Sequence, residues 1–299
     1  MSDFHIPRIM GIINCTPDSF FAGSRSESSE AALSSGISMI KEGADILDIG
    51  GESSRPGAAE VDEDEQIKRV VPVIKEIREI SKIPISIDTR SARVAERALD
   101  AGADIINDIS ALRHDTSMAA LAAEREAPVI LMHMKGNPAT MQLHPQYSDT
   151  IREISDELLR FADRAMGAGI KKEDIILDPG IGFGKRLEDN LALISKIDQW
   201  RPKGFLIMVG LSRKTFLGKL VDSENQRSAD YYMNLKACVG FGKAEARPEF
   251  AKSVPEDRLI ATCAANTWCI AKGVDILRVH DVRAARQIIA VWEAFSWDF

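Results

Sequence analysis

Acidic, amide and basic side chains recur in this sequence directly after short apolar runs. Asn14 and Asp18 bracket Cys15-Thr16-Pro17. An amide with a nearby carboxylate can bind a metal or a phosphate-bound magnesium, and the same segment also suits an Asx or Pro turn. Gly50-Gly51-Glu52-Ser53-Ser54-Arg55-Pro56-Gly57 pairs glycines, which permit unusual backbone, with an arginine able to grip an anion through two N–H groups. Asp88, Asn107-Asp108 and Asp178 offer carboxylates and an amide beside apolar walls. A carboxylate there can accept two parallel N–H bonds from the edge of an amino-pyrimidine ring; alternatively each Asp caps the following helix. Gly210-Leu211-Ser212-Arg213-Lys214-Thr215 brings two cations to a helix start, an arrangement suited to anions. Arg278 and His280 alternate to one side of a last run. For both cationic pairs the alternative is a surface salt-bridge cluster. His133, between Met132 and Met134, reads as a packed and hydrogen-bonded core histidine. The segment 178–185 (DPGIGFGK) resembles a phosphate loop, but Pro179 replaces its first glycine and Arg186 stands where Ser or Thr is required. A tight turn presenting Phe183 as an aromatic wall is expected instead.

Eight apolar runs carry these tips: 8–14, 45–52, 84–90, 104–108, 128–133, 174–179, 205–214 and 275–280. Strands apolar along most of their length are buried on both faces, as in a parallel sheet. Helical spacing fills the intervals at 28–42, 63–81, 91–101, 117–126, 150–168, 186–200 and 282–295, with Pro72 expected to kink the second. A weak repeat, 42–49 (EGADILDI), 100–106 (DAGADII) and 272–277 (KGVDIL), joins a helix end through Gly to the next strand. Strict β/α alternation with eight strands predicts one (β/α)8 TIM barrel spanning 1–299, with a doubly wound open sheet as the alternative. In such a barrel the C-terminal rim of the strands builds the active site. The polar stretch 222–253, after the seventh strand, is too long for a simple connection. It reads as an insertion: a helix pair, a lid or a partly disordered loop. At the C-terminal end Val291, Trp292 and Phe295 are expected to pack on the barrel, with burial in a partner as the alternative.

The chain has 299 residues, enough for eight βα units, which need roughly 250, with length to spare. A formal net charge of −7 argues against generic nucleic-acid binding. Four cysteines, at 15, 238, 263 and 269, show no metal-ligand spacing and read as reduced thiols of a cytoplasmic protein without a visible secretory signal. No apolar stretch approaches a membrane span.

With these motifs in hand, the sequence resembles the dihydropteroate synthase family over nearly its whole length. GIINCTPDSF (11–20), GGESSRPGA (50–58), SIDT (86–89), NDIS (107–110), LMHMKG (131–136), DPGIGFGK (178–185), LSRKT (211–215) and RVHDV (278–282) stand in the family's order. The resemblance implies condensation of 6-hydroxymethyl-7,8-dihydropterin diphosphate with 4-aminobenzoate, a magnesium ion held at Asn14, and a homodimer. It implies a pterin site of Asp88, Asn107, Asp178 and Lys214. It puts Asn14, Arg55, Arg278 and His280 on the diphosphate, with Arg55, Lys214, Arg278 and His280 as the catalytic set. Phe20, Ser54, Pro56, Phe183 and Thr215 would shape the aminobenzoate pocket, where sulfonamides act in the family.

Two positions depart from the family pattern. Ala22 replaces the second Asp of the first loop, and Ser54 replaces the usual Thr. The Ala22 departure admits a second reading, a pterin-binding homologue without full activity. A pterin-binding methyltransferase domain is a third; it has no use for Arg278 and His280 as a diphosphate clamp.

Overall fold

The computed structural model describes residues 6–16, 25–53, 60–138, 140–141, 143, 145–223 and 253–296. Eight strands, β1 (Arg8–Asn14), β2 (Ile46–Gly50), β3 (Ile85–Asp88), β4 (Ile105–Asp108), β5 (Val129–Met132), β6 (Ile175–Asp178), β7 (Leu206–Val209) and β8 (Ile276–Val279), close into a barrel in sequence order. Every neighbouring pair is parallel, and β8 returns to β1. This is the expected (β/α)8 barrel, and closure excludes the open sheet.

The helices are α1 (Arg25–Lys41), α2 (Glu63–Ile80), α3 (Ala92–Asp100), α4 (Met118–Glu124), α5 (Thr150–Gly167), α6 (Leu187–Ser195), α7 (Ile197–Trp200), α8 (described over 215–223), α9 (Leu259–Ala271) and α10 (Val282–Ser296). Pro72 lies inside α2, which continues on both sides of it. The single helix expected over 186–200 is two, because the backbone leaves the helical region at Lys196 (φ −117, ψ 36). Trp200 then folds back, and its buried indole donates to the Leu193 carbonyl at 2.7 Å. The run expected to continue to 214 stops at Val209, since β8 pairs with β7 only through Met208 and Val209. Beyond it the chain turns out of the sheet, with Arg213 at φ 58. The helix α9 has no counterpart among the expected helical patterns. Its buried face includes Thr262 and Asn266, while Ile260 is 83% exposed, so apolar periodicity does not mark it.

Alternation along the strands sorts side chains between two cores. Met10, Ile46, Ile105, Ile130, Ile176, Met208 and Ile276 form an apolar plug inside the barrel. Outward residues such as Ile9, Leu47, Ile87, Leu131 and Leu277 pack against the helices, among them Val73, Ile74 and Ile77 of α2 and Leu158 of α5. On β2, β4, β6 and β8 the next inward position above the plug is polar: Asp48, Asn107, Asp178 and Arg278. The plug therefore sets a dry floor beneath them.

The weak sequence repeat has a structural cause at the opposite, N-terminal face. Asp45, Asp104 and Asp275 each precede an even-numbered strand and accept a hydrogen bond from the first N–H groups of the preceding strand: Ile9 at 2.7 Å, Ile85 at 2.8 Å and Ile207 at 2.7 Å. Each carboxylate also takes an arginine, Arg286 at 2.7 Å, Arg78 at 2.6 Å and Arg201 at 2.7 Å. The same arginines donate to the carbonyls of Gly43, Gly102 and Gly273 in the helix-to-strand turns. Three strand pairs are thus pinned by one repeated clasp, remote from the rim.

The two ends of the 222–253 segment meet, as the Ser253 N–H donates to the Asp222 carboxylate at 2.9 Å; residues 224–252 lie outside the described residues. Val291 and Phe295, expected to pack on the barrel, are 53% and 83% exposed, and only Trp292 of that group packs against the core.

Replacing Asp275, 6% exposed, by Ala strands the buried Ile207 N–H. Urea denaturation of Asp275→Ala is expected to show a loss of about 2–3 kcal/mol. Asp45→Ala, at a clasp more than one-third exposed, is expected to lose about 1 kcal/mol or less. Equal losses would contradict the burial argument.

Candidate active site

The rim of the barrel gathers five of the expected residues into one charged cluster. Along β8 the inward position after Ile276 is Arg278, whose guanidinium bridges two carboxylates. Its Nε donates to Asp48 at 2.6 Å and its Nη2 to Asp88 at 2.7 Å. Burial works against the arginine's charge, but Asp48 and Asp88 more than offset it and raise its pKa above the ordinary value. Asp88, at the tip of β3, is pushed up to about 7 by burial, which the Arg278 charge opposes and the Asp48 charge reinforces. Asn107, the register partner of Asp88 on β4, donates its Nδ2 to Asp48 at 3.1 Å. That bond fixes the amide so that its Oδ1 is left as an acceptor.

Asp178, at the tip of β6, accepts the Gly180 N–H at 2.7 Å. Burial raises its pKa, and Lys214 opposes the rise. Lys214 is drawn down to about 8 by burial, countered by Asp178 and reinforced by Arg278. Its Nζ donates to the Ile181 carbonyl and lies 4.7 Å from the centre of the Phe183 ring. Asp88, Asn107, Asp178, Lys214 and Arg278 therefore meet in one polar layer above the apolar plug. Two acids and an amide there can accept N–H donors from a flat polar ring, while two cations carry charge toward an anion.

The 178–185 segment is the tight turn expected of it. Gly180 has φ +63, and a Cβ there would lie 1.9 Å from the His133 carbonyl oxygen, so only glycine fits. The turn closes over Lys185, whose Nζ reaches the carbonyls of Gly180 (2.9 Å), Phe183 (3.0 Å) and His133 (3.2 Å) and the Nδ1 of His133 (3.0 Å). Since the Glu157 carboxylate 2.9 Å from Nε2 can only accept, His133 carries its proton on Nε2 and presents Nδ1 to Lys185. Burial, with the Lys185 charge beside it, holds His133 down to about 4, so this ring is neutral at pH 7. His133 is the core residue its sequence context suggested. Lys185 escaped notice because its motif fails as a phosphate loop; it works instead as the internal post that sets Phe183.

Other residues part from expectation. Asp108 turns away from the barrel lumen and accepts from Ser110 N (2.7 Å), Ser110 Oγ (2.6 Å) and Leu112 N (2.9 Å). It does not cap the next helix, which begins only at Met118, but closes the turn after β4; period two sends Asn107 inward and Asp108 outward. Arg213 pairs with Asp281 through Nε (3.0 Å) and Nη2 (2.6 Å) and so ties α8 to the start of α10; the salt-bridge alternative holds there. The His280 Nδ1 shares a hydrogen bond with the Ser212 hydroxyl at 3.0 Å, and its backbone N–H donates to the same oxygen at 3.2 Å. Asn14 ends β1, and Thr215 opens α8 with its side chain exposed. Phe20, Ala22, Ser54, Arg55 and Pro56 lie outside the described residues. Asp48 is the site residue that sequence reasoning missed. The signal was present: it stands between Ile46 and Gly50 on the inward face of β2.

Comparison with known proteins converges on one family. Residues 10–280 match the pterin binding enzymes. A dihydropteroate synthase of Synechocystis is 41% identical over 286 residues, covering 96% of this chain and 89% of its own length. The solved structure of Xanthomonas albilineans dihydropteroate synthase with 4-aminobenzoic acid superposes with a TM-score of 0.83 at 36% identity, covering 98% of this chain and 94% of that one. The same organism's enzyme in complex with 7,8-dihydropteroate gives a TM-score of 0.80 at 34% identity, covering 98% and 95%. The chain belongs to the dihydropteroate synthase family of pterin-binding enzymes.

Proposed function

We propose that this chain condenses 6-hydroxymethyl-7,8-dihydropterin diphosphate with 4-aminobenzoate, giving 7,8-dihydropteroate and diphosphate. The observation that carries the reading is the convergence of Asp88, Asn107 and Asp178 with Lys214 and Arg278 over an apolar floor. The carboxylates accept the N–H donors of the pterin edge, and Asn107 Oδ1 accepts one more. Phe183, with Lys214 stacked on it, walls the aminobenzoate side together with Thr215; Phe20, Ser54 and Pro56 join that wall by family resemblance. Arg278, His280, Arg55 and Asn14 hold the diphosphate. The C–O bond of the pterin methylene breaks toward diphosphate, which leaves with the electron pair while the cations stabilise its charge. The buried carboxylates steady the cationic methylene that remains. The aniline nitrogen then forms the C–N bond and loses its proton to solvent. No protein nucleophile is required.

Magnesium is part of the reading. Asn14 contributes one neutral amide oxygen, and among the described residues no group of three or more His, Cys, Asp or Glu side chains could cage a metal ion. Such a donor set fits an ion that arrives on the diphosphate, since magnesium keeps waters and substrate oxygens as most of its ligands. Bound there, it would neutralise charge developing on the leaving group. The reading also includes a homodimer, supported by the exposed apolar side chains of Ile260, Trp268, Val291 and Phe295 on α9 and α10. A cytoplasmic site is supported by the free thiols of Cys15, Cys263 and Cys269. No described helix is long and apolar enough to cross a membrane.

Purified protein with magnesium and both substrates is expected to form dihydropteroate in a coupled assay, and EDTA to abolish turnover. Arg278→Lys keeps the charge but loses the forked geometry; its kcat/KM for pterin diphosphate should fall about 100-fold. Pterin binding without diphosphate release would support the impaired homologue, and Ala22→Asp should then restore turnover. Sedimentation is expected to show twice the 32.9 kDa chain mass, and Phe295→Glu to shift it toward monomer. A wild-type monomer would remove the dimer from the account.

A further inference from the structure

Asp48 lies in the middle of β2, on the lumen side, with no solvent exposure. Its Oδ2 accepts both Arg278 Nε at 2.6 Å and Asn107 Nδ2 at 3.1 Å, while its Oδ1 has no hydrogen-bond partner among the described residues. The hydroxyl of Ser86, its register partner on β3, is buried and likewise unpartnered. An acid buried with one oxygen unsatisfied is costly, and an apolar residue would continue the plug below it more stably. Its retention calls for a role other than packing.

The guanidinium supplies the argument. Arg278 uses different nitrogens for its two acids, Nε for Asp48 and Nη2 for Asp88. A pterin that needs the Asp88 carboxylate for its own N–H donors competes with Nη2 alone. Were Asp88 the only partner, giving it up would leave a largely desolvated guanidinium, 19% exposed, unpaired, and the ligand would have to overcome that penalty. With Asp48 on Nε, Arg278 keeps a counter-ion throughout and can turn its free edge toward the diphosphate. The same carboxylate holds Asn107 with its carbonyl oxygen free.

We propose that Asp48 is a positioning residue for pterin binding: it is the standing counter-ion of Arg278, which frees Asp88 for the ligand, and it orients Asn107. The proposal rests on the reading of Asp88 as a pterin acceptor and adds to it a residue that does not touch the ligand. It also carries a pH signature. The charged groups that act on Asp88 are Arg278, Asp48, Asp108 and Glu52. Burial is the largest influence on Asp88 and holds it near 7, with Arg278 pulling down and the three acids pushing up. Asp88 must be ionised to accept two N–H bonds, so pterin binding weakens as pH falls through about 7. Neutralising Asp48 removes one acid and concentrates Arg278 on Asp88; both effects move that midpoint to lower pH.

The test is calorimetry with 6-hydroxymethyl-7,8-dihydropterin, a probe without the diphosphate, between pH 5.5 and 8.5, alongside steady-state kinetics. Asp48→Asn is expected to raise the pterin Kd about tenfold at pH 8, to shift the pH midpoint downward, and to leave the aminobenzoate KM unchanged. In an Arg278→Gln background, Asp48→Asn should change the pterin Kd less than twofold, because the new amide keeps an acceptor oxygen for the Asn107 Nδ2 and the lost charge acts through the arginine. This double variant, which removes both buried charges, serves as the test if the single one does not fold. A Kd and pH midpoint equal to wild type overturn the proposal, as does a further tenfold loss in the Arg278→Gln background. Parallel rises in both substrates' KM with lowered thermal stability show a purely structural role and overturn it too. Wild-type protein that fails to bind the probe overturns the pterin reading itself, a distinct result.

Discussion

A charge inside a closed barrel has no water to fall back on, so the charged layer must balance from within. Here the balance centres on Arg278, held between Asp48 and Asp88. Below it, seven apolar side chains seal the lumen; above it, the strand tips open to the rim. Coulomb attraction in such surroundings is strong, but so is the penalty for stranding either partner. That constraint explains why the acids and cations of this layer come as a set. Asp178 answers Lys214 as Asp48 and Asp88 answer Arg278, and the neighbours' charges act on each group's protonation against the effect of burial. A ligand entering the layer exchanges one satisfied arrangement for another.

The rest of the fold keeps that layer in register. Closure by eight parallel strands removes any edge, and period two allots every other residue to the lumen. At the far face, three Asp–Arg–Gly clasps pin strand pairs where no chemistry occurs. At the near face, Lys185 gathers the carbonyls of the 178–185 turn and fixes Phe183 beside Lys214. Stability and function thus occupy opposite ends of the same strands, as the barrel architecture allows.

Much of this was legible in the residues. Each apolar run became a strand because burial on both sides demands unbroken hydrophobicity, and Asp88, Asn107, Asp178, Lys214 and Arg278 met at the rim as their places at strand ends implied. What escaped did so for physical reasons. The helix α9 hides because Thr262 and Asn266 sit on its buried side and Ile260 on its exposed one. Asp108 looks equivalent to Asn107 until the pleat sends them to opposite faces. Arg213 and Lys214 are adjacent cations, yet a left-handed residue turns one to Asp281 and leaves the other beside Asp178. Asp48 was concealed inside an apolar run, where a lone acid reads as an interruption rather than as the partner of an arginine 230 residues away.

The central claim is that Arg278 trades one carboxylate for the ligand and keeps the other. A crystal structure of the wild-type protein with the pterin diphosphate bound tests it directly. The account predicts Arg278 Nε still within hydrogen-bond distance of Asp48, Nη2 withdrawn from Asp88, and Asp88 accepting N–H donors from the pterin ring. A pterin seated while Arg278 remains on Asp88, or an Arg278 detached from both acids, would contradict it.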